Sequence, residues 1–144
     1  MKKILIATHG YLADGFKSSL AILSGKQDSA EYVNAYVDES DYTPRIRAFV
    51  ESVGPDDEGV IFTDIYGGSV FQKVVLEMPV RDNIFHVTGV NLGLVIEVLL
   101  TSEPITSDYL ESVIEMARRG MQLVIPQGVS SARGGSDSAD GFFD

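Results

Sequence analysis

Repeatedly along this chain, a short and nearly unbroken apolar run stops at turn residues and gives way to apolar residues at helical spacing. Lys3–Thr8 ends at His9-Gly10 and is followed by Leu12, Phe16, Leu20 and Leu23, with Gly25 as a stop. Tyr32–Val37 precedes a helix opened by Thr43 and Pro44, as N-cap and first helical residue, whose apolar face is Ile46, Phe49, Val50 and Val53. Gly59–Thr63 precedes a helix with Phe71, Val74, Val75 and Met78 on one side. Asn83–Val90 precedes the nearly all-apolar helix Leu92–Leu100, which reads as deeply packed or buried against another subunit. Ser107 is expected to cap a last helix, and Met121–Ile125 reads as a fifth strand stopped by Pro126. Continuous rather than alternating strands are those covered on both faces. The pattern therefore predicts an α/β fold with a doubly wound, mostly parallel five-stranded sheet.

Two units follow from composition. Residues 1–126 form one domain, long enough to bury a core, and residues 127–144 turn to Gly, Ser and Asp and are expected to be a flexible tail. With no cysteine, disulfides, thiolate metal sites and a cysteine nucleophile are excluded. A formal charge of −10 argues against nucleic acid as a partner. Met1-Lys2-Lys3 before Ile4-Leu5-Ile6-Ala7 is too short an apolar start for a secretory leader, and no stretch approaches bilayer length, so a cytoplasmic chain is expected.

The chemistry concentrates in Ile61-Phe62-Thr63-Asp64-Ile65-Tyr66-Gly67-Gly68-Ser69-Val70-Phe71. This is a strand ending in an acid, then a glycine-rich turn, then a helix starting at a hydroxyl residue. Free N–H groups at such a helix start suit an anion or a phosphoryl group. Ligands of doubly wound sheets bind at the carboxyl edge, where the strand order reverses. If the first and third strands are neighbours, His9 and Asp64 face each other there. Imidazole is then the candidate nucleophile, and Asp64 either fixes its tautomer or serves its own turn or a lysine. Gly67, Gly68 and Ser69 are the candidate phosphoryl-binding residues. Ser69 and Gln72 also match a capping box, so the hydroxyl has two competing uses. His86 reads as a core or edge histidine, Tyr66 as a rim or interface aromatic, and Asn91 as a crevice residue or a helix cap. Neither a metal nor a nucleotide cofactor is expected: no cluster has ligand spacing, and the phosphate-loop and dinucleotide fingerprints are absent.

Three segments in order, Ile4-Leu5-Ile6-Ala7-Thr8-His9-Gly10, Thr63-Asp64-Ile65-Tyr66-Gly67-Gly68-Ser69-Val70-Phe71 and Thr88-Gly89-Val90-Asn91-Leu92, resemble the enzyme IIA domain of the mannose-type sugar phosphotransferase system. The resemblance covers residues 1–125 and implies a phosphoryl relay. His9 falls on the family's active histidine, accepting from the phosphocarrier HPr and passing to a IIB domain, with membrane IIC and IID components as indirect partners. Asp64 falls on the aspartate that bonds Nδ1 and leaves Nε2 to attack, while Gly68 and Ser69 fall on the phosphoryl-stabilising positions. The family pattern also implies a homodimer in which the last strand, here Met121–Ile125, lies antiparallel and is exchanged. Val70 and Gly93 depart from that pattern without touching the catalytic positions. The alternative is a flavodoxin-like regulatory or anion-binding module. A histidine phosphatase would need arginine where Thr8 stands, and a receiver domain would need an acidic pair there.

Overall fold

A computed structural model describes residues 1–128. The chain alternates strands β1 (Lys2–His9), β2 (Ala30–Ala35), β3 (Glu58–Thr63) and β4 (Ile84–Thr88) with helices α1 (Leu12–Ser24), α2 (Thr43–Ser52), α3 (Ser69–Glu77), α4 (Leu92–Leu100) and α5 (Ser107–Arg119). The sheet order is β2-β1-β3-β4, every pair parallel. The chain first builds outward from β1 to β2, then crosses back to β3 on the other side. The order therefore reverses between β1 and β3, and a crevice opens at their carboxyl ends.

The apolar strand runs are continuous because alternate residues feed two cores. Ile4, Ile6, Val60 and Phe62 face a layer made by α1, α4 and α5, including Phe16, Leu20, Val95, Val98, Leu110 and Val113. Leu5, Ala7 and Ile61 face the opposite layer, where Ile46, Phe49 and Val50 of α2 meet Val70 and Val74 of α3. Helix α4 buries most of its apolar surface within this chain, through Leu94, Val95, Val98 and Leu99, while Leu100 is exposed. Its Asn91 is a cap, accepting from Leu94 N–H at 2.9 Å and donating to the Ala117 carbonyl at 3.2 Å.

Three sequence expectations change. Thr43 does not cap α2; it is the first helical residue, and Asp41 Oδ1 accepts its N–H at 2.9 Å. Ser107 likewise yields the cap of α5 to Thr106, whose hydroxyl oxygen accepts from Tyr109 N–H. In both cases a short polar residue just ahead in the chain accepts a first-turn N–H, Asp41 that of Thr43 and Thr106 that of Tyr109. The third change is larger: the sheet has four strands among the described residues, not five. Met121 N–H closes back on the Arg118 carbonyl at 3.2 Å, and Met121–Ile125 then runs as irregular, exposed backbone. Among the described residues no strand edge pairs with it, and an extended segment without a ladder partner has nothing to hold it as a strand. Of the expected tail from residue 127, everything from 129 on, including Phe142-Phe143, lies outside the described residues. Among the described residues no helix is long and apolar enough to cross a membrane.

Candidate functional site

His9 is the last residue of β1 and Asp64 the first residue beyond β3, so two adjacent parallel strands deliver them to the same edge. Asp64 Oδ2 accepts the His9 backbone N–H at 2.9 Å and lies 3.0 Å from His9 Nδ1, with Oδ1 at 3.1 Å from the same nitrogen. Oδ1 also accepts from Ile65 N–H at 3.1 Å. The carboxylate thus serves its own turn and the imidazole together, and no lysine pairs with it among the described residues. An ionised carboxylate only accepts, so the Nδ1 contact requires a proton on Nδ1, and in the neutral imidazole Nε2 then keeps its lone pair. The Asp64 side chain is 9% exposed and that of His9 35%, so the acid is sheltered while the ring reaches solvent.

Ser69 settles opposite Nε2, its Oγ at 3.1 Å. The capping box is not formed: Gly68 is the N-cap of α3, no side chain caps that helix, and Gln72 instead donates from Nε2 to the Gly67 carbonyl at 2.9 Å. With its hydroxyl free of the helix, Ser69 faces the imidazole. The uncapped first-turn amides of α3 add the positive end of a helix dipole beside it.

The two glycines act differently from each other. Gly67 holds φ +77°, a backbone region that a side chain would strain. Gly68 commits its amide to the Ile65 carbonyl at 3.0 Å, so it contributes through its missing side chain. A Cβ there would stand 3.2 Å from the Ile65 oxygen and 3.4 Å from His9 Cε1, crowding the ring.

Tyr36 is the site member that the sequence reading misses. It reads as part of a strand reaching residue 37, whereas β2 ends at Ala35 and Tyr36 turns its ring toward His9, centroids 5.6 Å apart. The only sequence hint is an aromatic at the carboxyl end of a strand neighbouring β1.

The other residues weighed from sequence stand outside this group. Tyr66 is 79% exposed and packs at the rim against Phe71. His86 lies on the edge strand β4, packed at a tilt against Phe71, with Nε2 2.8 Å from Thr63 Oγ1, which donates to Thr88 Oγ1. Burial pushes the His86 imidazole down to about 4, so it is neutral near pH 7. The unfolded chain therefore binds one more proton than the folded chain between pH 6.5 and about 4. Stability from this group is complete above 6.5 and is lost as pH falls through that window. Urea midpoints measured from pH 4 to 7 are expected to fall more steeply for wild type than for His86→Gln, whose amide can still reach Thr63. Equal slopes would show that His86 is not held neutral.

Among the described residues no group of three or more His, Asp or Glu side chains could hold a metal ion. What is assembled is an imidazole with a carboxylate against Nδ1, and a hydroxyl and the first amides of a helix near Nε2.

Comparison with known proteins agrees in fold and in family. The family model described as EIIA-man, PTS system fructose IIA component, matches residues 3–117. A Klebsiella pneumoniae protein described as a candidate phosphoenolpyruvate-dependent sugar phosphotransferase system permease is 29% identical, with TM-score 0.75, over 85% of this chain and 90% of its own. The phosphotransferase system component EIIA of Streptococcus agalactiae is 27% identical, with TM-score 0.70, over 85% of this chain and 96% of its own. The mannose/sorbose-specific IIA subunit of Enterococcus faecalis shares the fold with TM-score 0.76 at 18% identity, over 90% of this chain and all of that one.

Proposed function

We propose that this chain, which belongs to the EIIA-man family of PTS IIA components, is a phosphoryl carrier whose reactive atom is His9 Nε2. The observation that carries the proposal is the pairing of both Asp64 carboxylate oxygens with His9 Nδ1, which leaves Nε2 unprotonated and facing Ser69. In the forward step the Nε2 lone pair forms a bond to phosphorus of a phosphohistidine donor, HPr. The donor's P–N bond breaks, and its electron pair returns to the donor imidazole. His9 becomes a phosphoimidazolium that keeps its Nδ1 proton, and Asp64 offsets the new positive charge. Ser69 and the first amides of α3 lie where the phosphoryl oxygens gain charge. The P–N bond keeps a high transfer potential, so the reverse chemistry passes the group to a IIB domain. On this reading residues 1–126 are the IIA unit, working in the cytoplasm, with membrane IIC and IID components reached only through IIB.

The test uses the full chain with phosphoenolpyruvate, enzyme I and HPr, followed by intact mass. One phosphoryl group per chain, lost in acid, is expected; no gain with competent partners would sink the relay.

A dimer is part of the same proposal. β4 is an edge strand, and Met121, Leu123 and Val124 are each 80% exposed or more just after α5. A free edge and an unpaired apolar segment in one chain are complementary in a pair of chains. Truncation after Gly120 is expected to convert a dimer to a monomer in light scattering. A truncated chain that stays dimeric would remove the segment from the interface.

A further inference from the structure

Tyr36 is the only non-glycine residue in the left-handed backbone region among the described residues, with φ +67°. A bulky side chain is disfavoured there, and such strain collects where a site needs it. Core packing does not account for it, because Tyr36 is 58% exposed. Its hydroxyl instead lies 2.9 Å from Ser69 Oγ and 3.2 Å from the hydroxyl of Tyr42, while its ring leans 33° from the plane of the His9 imidazole. Tyr42 is buried and meets the Tyr36 ring edge-on, at 5.5 Å between centroids.

The protons in this chain of hydroxyls can be assigned. In the neutral imidazole, Nδ1 of His9 carries its proton toward Asp64, so Nε2 accepts and Ser69 donates to it. Ser69, having spent its proton, accepts from Tyr36. Tyr36 in turn accepts from Tyr42. Burial raises the Tyr42 phenol far above its ordinary range, which keeps that first donor protonated.

We propose that Tyr36 is a positioning residue for phosphoryl transfer: its hydroxyl holds Ser69 as a donor toward Nε2, and its ring fixes the plane of the His9 imidazole. The proposal rests on the relay reading of His9. When Nε2 carries the phosphoryl group, a phosphoryl oxygen takes the place of the lone pair as acceptor. Tyr36 still fills the acceptor side of Ser69, so the serine proton stays aimed at the transferring group. The left-handed turn after β2 is the local cost of bringing a strand-end tyrosine over the site.

Two variants separate positioning from scaffolding. Tyr36→Phe keeps the ring and the backbone strain but removes the hydroxyl, while Tyr36→Gly relieves the strain and removes both contacts. Single-turnover transfer from phospho-HPr to the full chain is expected to slow about five- to tenfold in the Phe variant, the weight of one hydrogen bond to the site. It is expected to slow further in the Gly variant, whose thermal midpoint should equal or exceed that of wild type. The ¹⁵N shifts of the His9 imidazole should move in both variants. Wild-type transfer in the Phe variant, or a lowered thermal midpoint in the Gly variant, would overturn the proposal. If the wild-type chain itself accepts no phosphoryl group, the relay reading fails by that result alone. The His9 shifts then decide the Tyr36 contact: unmoved signals in both variants overturn it, and moved signals uphold it.

Discussion

His9→Gln is expected to fold as wild type does and to accept no phosphoryl group from phospho-HPr. The loss is complete because the amide of glutamine is not a nucleophile near neutral pH, and His86, the other histidine, hydrogen-bonds into the sheet through Thr63. Folding survives for a separate reason. Removing the imidazole does not orphan the Asp64 carboxylate, which still accepts the backbone N–H groups of residue 9 and Ile65. What disappears is an ion-pair-like contact to a partly exposed ring, worth about 1 kcal/mol or less, together with the ring's contacts to the exposed Ser69 and Tyr36. Circular dichroism and a urea midpoint check the fold; intact mass after incubation with phosphoenolpyruvate, enzyme I and HPr checks the loss. A phosphoryl group on the His9→Gln chain would move the acceptor elsewhere.

Asp64→Asn carries the second large effect. The side chains are nearly the same shape, so the turn at the end of β3 should hold. An amide, however, presents one acceptor and one donor where the carboxylate presented two acceptors. The His9 backbone N–H, which Asp64 Oδ2 accepts at 2.9 Å, competes for the single remaining oxygen. If the amide NH₂ faces Nδ1, the imidazole must move its proton to Nε2, and the nucleophilic lone pair is lost. In either orientation the charge that offsets the phosphoimidazolium is gone. Losing tautomer and charge together in a comparable histidine–aspartate pair lowers rates by up to about 10⁴-fold, and a fall of about 10³-fold in transfer is expected here. Thermal midpoint should change little beside that. Wild-type transfer by Asp64→Asn would make the acid a purely structural residue.

Much of the site is legible in the sequence because its parts sit at strand ends. His9 and Asp64 each follow a continuous apolar run, and a parallel sheet with reversed order must bring two such ends together. The glycine pair and Ser69 follow Asp64 within five residues, so the glycine-rich turn into a helix is visible before any fold is known. Hydrogen-bond choices between neighbours are not visible. Ser69 could cap α3 or face the histidine, and only the placement of Gly68 as N-cap decides it. Thr43 against Asp41, and Ser107 against Thr106, are the same kind of choice between neighbouring side chains. Tyr36 escapes because a left-handed conformation at a bulky residue has no local signature, and its partners lie 6 and 33 residues away. Met121–Ile125 has the composition of a strand, but a strand is a relation to another strand, and a single chain's pattern does not say whose edge it uses.

The central claim is that the phosphoryl group resides on Nε2 of His9, with Asp64 on the other nitrogen. Its most direct test is NMR of the phosphorylated full chain carrying ¹⁵N-labelled histidine, with the phosphorus–nitrogen coupling assigned to one ring atom. Coupling to Nε2 of His9 alone is expected, with an Nδ1 that keeps its proton and His86 signals unchanged in type. Coupling to Nδ1 of His9, or to either nitrogen of His86, would contradict it.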